Sequence, residues 1–260
     1  MKRSRSASFL GLTVLLIAAG TGFAGGQVKL GVHGGISIPN LRSNETDIFS
    51  QGFSSREGPY FGLTADFALA TRLSLAVDLN YTSQGGQRTG MQPITMELPD
   101  GLPIPPDTVL WAVFSNETIL DYIEVPVRAR YTFGGKIRFF LDAGPYVGFL
   151  VRGVAVTAGT SALYLDEAGT MPIVIPPSTD PLVVDLGAET DVKDSLETVN
   201  FGVVGGGGVL VPLGPGDLVL EARFQLGLTT IQKYPETDGH TQTGAVIISL
   251  GYMLPLGKHK

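Results

Sequence analysis

Residues 122–149 read YIEVPVRARYTFGGKIRFFLDAGPYVGF, and two opposed parities run through them. Ile123, Val125, Val127, Ala129, Tyr131 and Phe133 take one parity, against Glu124, Pro126, Arg128, Arg130 and Thr132. After Gly134–Lys136 the alternation resumes. Ile137, Phe139, Leu141, Ala143, Pro145, Val147 and Phe149 oppose Arg138, Asp142, Gly144, Tyr146 and Gly148, with Phe140 an apolar exception on the polar parity. Strict alternation over about ten residues is the mark of a strand with one apolar and one polar face. Two such strands joined by a Gly-Gly-Lys turn make an antiparallel hairpin.

The same scheme extends outward in both directions. Phe61–Leu69, Leu73–Tyr81, Leu218–Leu228 and Ala245–Leu256 alternate clearly, while Gln27–Ile38 and Val199–Val211 do so through a blur of glycine. That gives eight strands of about ten residues, the length of a tilted membrane-spanning strand. Connections alternate short and long. Ala70–Arg72, Gly134–Lys136 and Pro212–Asp217 are tight turns. Pro39–Gly58, Gln84–Thr118, Arg152–Thr198 and Ile231–Gln242 read as long polar loops, all at one end. The fold expected is all-β: an eight-stranded antiparallel up-and-down transmembrane barrel with short periplasmic turns and long extracellular loops.

Composition agrees. Charged residues are 16% of the chain, against about 25% in soluble domains, and glycine is 35 of 260 residues. There is no cysteine, which excludes a disulfide scaffold, thiolate zinc and a cysteine nucleophile. A net charge of −6 argues against nucleic acid as a partner. Residues 1–26 read as a signal peptide: Lys2, Arg3 and Arg5 precede the apolar run Phe9–Ala19 and a small-residue zone ending at Ala24 or Gly26. The domain expected is then 27–260, exported to the outer membrane of a Gram-negative-type bacterium.

The polar parity carries Asp66, Asp78, Glu124, Arg128, Arg130, Arg138, Asp142, Glu221 and Arg223. With lipid outside, these charges face a narrow lumen and must neutralise one another there. With the apolar parity inside, the chain is instead a soluble lipocalin-like ligand-binding barrel. The balance of bases and acids, spaced by Gly, Ser, Ala and Thr, favours the lumen. So do aromatic residues near strand ends, such as Tyr81, Tyr131, Phe133 and Phe149.

Four segments in order carry a family likeness. Tyr122–Phe133, the Ala143-Gly-Pro145 segment of Phe139–Phe149, Leu73–Gly85 with Asp78, Tyr81 and Gln84, and Leu220–Thr229 with its Glu-Ala-Arg-Phe resemble strands of the PorT-like outer-membrane β-barrel family. The resemblance implies an outer-membrane barrel whose activity is often unassigned. The chain departs from many such barrels at its end, which reads Leu-Gly-Lys-His-Lys260 rather than finishing on an aromatic residue.

Chemistry is sparse. Gly20–Gly25 matches G-x-G-x-x-G but lies in the export segment, and the glycines at 205–208 lack the helix and lysine of a phosphate loop. Of three histidines, His33 shares a strand face with Ser37, but four residues along a strand separates them by about 13 Å. No catalytic set, cofactor site or metal site can be assembled. Arg152–Thr198 holds eight acids without the spacing of a calcium loop. The reading is a non-enzymatic monomer. Its partners are outer-membrane lipid, the barrel-assembly machinery during insertion and an unidentified surface partner. The lumen is filled by paired charges, and long loops are displayed for interaction. The alternatives are narrow-pore transport of a small solute, the soluble ligand-binding barrel, and envelope hydrolysis.

Overall fold

The computed structural model describes residues 28–43, 52–94 and 108–256. Residues 1–26, read from the sequence as a signal peptide, lie outside them. Among the described residues eleven strands form: β1 (Val28–Ser43), β2 (Gly58–Ala68), β3 (Leu73–Ile94), β4 (Leu110–Gly134), β5 (Arg138–Ala158), β6 (Thr160–Ala162), β7 (Val183–Asp185), β8 (Ala188–Asp191), β9 (Val199–Leu213), β10 (Gly216–Gly227) and β11 (Thr241–Leu256). A single helical turn, α1 (Pro235–Asp238), precedes β11. Eight of the strands close a ring in the order β1, β2, β3, β4, β5, β9, β10, β11. Every neighbour is antiparallel, and Val28 opposite Leu256 joins the first strand to the last. Closure leaves no free edge in the wall, as a backbone in lipid requires.

The parity falls as a lipid-facing barrel demands. Val127, Leu79, Leu220 and Phe224 are 37%, 51%, 54% and 64% exposed on the outer surface, whereas Arg128 and Asp78 are 0% and 2% exposed inside. An apolar exterior around a charged interior excludes the soluble ligand-binding barrel, whose greasy face would point inward. Aromatic rings mark both ends of the apolar band. Tyr131, Phe133 and Phe139 stack in series near the short turns, and Phe61 stacks on Tyr81 at 4.9 Å toward the other end. Tyr81 is level with Ile123, ten residues up β4 from Phe133. At roughly 3.3 Å per residue and a tilt of about 40°, that band is about 25 Å tall, the thickness such barrels present to lipid.

Two of the expected long loops begin as continuations of the strands. The segment 84–118 continues the sheet: β3 and β4 stay paired from Thr82 opposite Tyr122 out to Ile94 opposite Leu110. The segment 152–198 begins as more of β5, which pairs with β4 as far as Ala158 opposite Ser115. Beyond the end of β9, the short β8 takes its place beside β5, and β6 pairs with β7. Between Tyr122–Leu150 and Asp121–Arg152 the ladder shifts register, inserting Val151 into β5. Such a bulge swaps which parity faces inward, so Gly153 rather than Arg152 follows Leu150 into the interior.

The outer part has a core of its own. Leu110, Ala112 and Phe114 of β4 pack on Leu163, Ile173 and Leu186 of the 159–186 segment, with Ile94, Leu182 and Val184 around them. Backbone pairs between Trp111 and Tyr164, both 2.9 Å, hold that segment on the extended hairpin.

Candidate functional site

Glycine on β9 sets the room available in the lumen. Gly208 faces inward, and a Cβ there would lie 2.7 Å from the Phe140 ring; Gly202 makes the same space for the Tyr146 ring. Gly208 and Gly202 are therefore a trough for bulky lumen side chains. Phe140, the apolar exception of its parity, is buried with Leu210, Val219 and Met253 toward the periplasmic end. Its ring lies 4.0 Å beneath the Arg130 guanidinium, so it serves as a floor for the charges above.

Those charges form one dense layer. Arg128 donates to Asp78 at 2.7 Å, to Glu221 at 2.7 Å and to Asp142. Arg130 grips Asp142 through two nitrogens at 2.9 and 2.8 Å and reaches Asp66 at 3.2 Å. Arg223 forks onto Glu221 at 2.7 and 2.8 Å and donates to Asp78 at 2.8 Å and to the Tyr60 hydroxyl. Seven of the nine lumen residues singled out from sequence thus meet in one cluster, three guanidinium groups against four carboxylates. Arg and Glu at positions 223 and 221 lie two apart on β10, the spacing that puts both on one strand face.

The other two lie elsewhere. Arg138 sits at the periplasmic end, where it and Lys29 both bind Asp217, a residue the sequence pattern assigns to a turn. Glu124 is buried a layer above the arginines and touches none of them. It accepts hydrogen bonds from Thr82 at 2.8 Å, Gln84 at 2.8 Å and Gln225 at 2.7 Å. An acid/base pairing of Asp78 with Glu124 is therefore not built: the Asp78 carboxylate is occupied by arginine and Glu124 by neutral donors. His33 bridges Thr64 at 3.1 Å and Asn80 at 3.0 Å and stacks on Tyr60, which ties it to the wall.

Above Glu124 the interior turns apolar. Leu120, Tyr122, Leu150 and Ile231 are buried together, with Leu41 and Leu196 against them. Beside His33, Arg130 and Glu221 a gap of about 10 Å³ remains, the size of one water. The layers of an eight-strand barrel thus fill its bore. Outside the band, Arg56 was not signalled by any pattern. It is buried, donates to Glu117 at 2.7 Å, Ser83 at 3.0 Å and the Gln84 carbonyl at 3.1 Å, and pins the chain before β2 onto the extended hairpin.

Among the described residues, no group of three or more His, Cys, Asp or Glu side chains is disposed to hold a metal ion. Three solved structures with a similar course are distant in sequence. Neisserial surface protein A is 12% identical over 89% of this chain and 97% of that one, with a TM-score of 0.38. The attachment invasion locus protein Ail of Yersinia pestis is 9% identical over 87% and 98%, with a TM-score of 0.36. The N-terminal β-barrel domain of OprF from Pseudomonas aeruginosa is 12% identical over 89% and 99%, again at 0.36. No curated protein matches in sequence. The model of the outer membrane protein beta-barrel domain family, in contrast, matches residues 19–233. With most of its length matched in this way, the chain belongs to the outer membrane protein beta-barrel domain family.

Proposed function

We propose that this protein is a non-enzymatic membrane anchor which holds a folded platform outside the outer membrane for recognition of a surface partner. The observation that carries this reading is the second apolar core, formed by Leu110, Phe114, Leu163 and Ile173 beyond the lipid band. Chain that merely links strands has no need of a core, and binding residues are commonly carried on loops held by a rigid scaffold. Exposed Leu165, Met171, Val174 and Val183 on the same platform offer apolar contact area, and the acids of 152–198 flank it. The reading includes export by residues 1–26, insertion by the barrel-assembly machinery of a Gram-negative envelope, and a monomeric barrel. Within the family, Tyr122–Phe133 and Leu220–Thr229 support a place among the PorT-like members.

A photo-crosslinker at Val174 or Val183 on intact cells should capture a discrete partner, and the capture should vanish on the replacement Leu163→Asp, which breaks the core that shapes the platform. Capture that survives the replacement, or none at all, removes the platform role. Purified protein in planar bilayers should stay at background conductance. Steady unitary currents would transfer the reading to solute transport.

A further inference from the structure

Above the apolar layer the bore widens into a cup of about 220 Å³. Its walls are inward positions of the extended strands: Leu41 of β1, Leu120 of β4 and Ala155 of β5, the last turned inward by the bulge at Val151. Phe53, Val192, Leu196 and Ile231 complete the apolar lining. Three further contributors, Thr118, Gln232 and Thr241, are polar but uncharged. We infer that this cup is a binding site for one small, uncharged, single-ring molecule taken from the outside medium, a role separate from the recognition of a surface partner.

Four features lead there. The first is size: an apolar cavity of about 150 Å³ takes up benzene, so this volume suits one ring with a short substituent. The second is chemistry. Desolvating a charge against an apolar wall with no counter-charge is prohibitive, so an ionised ligand is refused. The Gln232 Oε1 already accepts from Thr230 at 2.8 Å and from the Thr241 amide at 2.8 Å, so little polar demand falls on the occupant. The third is preorganisation. Backbone hydrogen bonds from Glu197 to Ile231 at 2.8 Å, Ile231 to Thr241 at 2.9 Å and Val192 to Gly153 at 3.0 Å fix the rim before any ligand arrives, which lowers the cost of binding. The fourth is the closed base. Below Leu120 and Ile231 lie the Glu124 layer and the arginine cluster, so an occupant is held and not passed on.

The test uses the full chain in lipid nanodiscs with labelled Leu, Ile and Val methyl groups, titrated with benzyl alcohol and, in parallel, benzoate. Benzyl alcohol should shift the Leu120, Leu196 and Ile231 methyl resonances along saturable curves, while lipid-facing Leu220 and Leu250 show only the unsaturating drift of partitioning. Benzoate should leave the cup resonances in place. Ala155→Trp and, independently, Val192→Trp fill the cup from wall and rim, and each should abolish the saturable shift with the remaining spectrum intact. If one variant fails to fold, the other decides. Absence of saturation, equal response at Leu220, equal binding of benzoate, or a saturable shift that survives the filling substitution would each overturn the assignment.

Discussion

Arg128 shows how one residue is made indispensable. It is fully buried, and Asp78, Asp142 and Glu221 all accept from its guanidinium; without it the four carboxylates of the cluster would face only the two guanidinium groups of Arg130 and Arg223. Removing one partner of a buried ion pair costs about 3–5 kcal/mol, because the remaining charges are left uncompensated. Arg128→Met should therefore lower the unfolding free energy in detergent by at least about that amount. Lys29→Met, at the more open periplasmic end, removes only one of two cations from Asp217 and should cost about 1 kcal/mol or less. Denaturant titration of both variants checks the contrast, and equal losses would deny the lumen its dry character. Gly208→Val tests the trough. Its added atoms meet the Phe140 ring and the Leu220 carbonyl, and overpacking of this kind costs about 1–3 kcal/mol. Phe140→Leu in the same chain should restore part of that loss, whereas a loss unchanged by it would place the strain in the backbone.

At the scale of elements, the strands within lipid were legible and those beyond it were not. In Leu73–Tyr81 the environment alternates between lipid and lumen, so the residues alternate too. From Thr82 to Gly90 the sequence reads TSQGGQRTG, with water in place of lipid on the outer face. The hydrogen-bonded ladder continues there, but nothing in the side chains records it. The layer that holds Glu124 was illegible for another reason. Parity tells which residues face inward, but not which heights meet across the ring, since that depends on strand stagger. Gln225, four residues beyond Glu221 on β10, consequently reaches Glu124 while Arg128, four beyond Glu124 on β4, lies a layer below. Because the platform has its own core, it should loosen independently of the barrel. Leu163→Ala should cost the platform about 2–5 kcal/mol and expose 159–186 to protease, while the barrel keeps its resistance to unfolding in detergent. The platform also carries a local acid-sensitive contact. The Thr170 hydroxyl and the backbone amides of Thr170 and Met171 hold the Asp166 carboxyl below the usual carboxylate range. A lowered folded-state value means that this turn is supported above the ordinary carboxylate pKa and released as pH falls through the lowered one. Thr170→Val should move the Asp166 titration upward, toward the ordinary value, in a carboxyl-detected NMR titration.

The whole molecule is a ring closed by its first and last strands, filled by charge layers, and crowned by the extended β3, β4 and β5. Its architecture follows from one separation: apolar residues stay in lipid, while arginines and carboxylates neutralise one another at the axis. Family membership and the observed ring agree with that separation. The chain also offers a clean way to measure it, because it has no cysteine of its own. Single cysteines at Leu79, Leu220 and Leu250, each carrying a bimane fluorophore in a reconstituted bilayer, should be quenched by brominated acyl chains and spared by aqueous iodide. Quenching by iodide, with brominated lipid inert at all three positions, would contradict the account at its base.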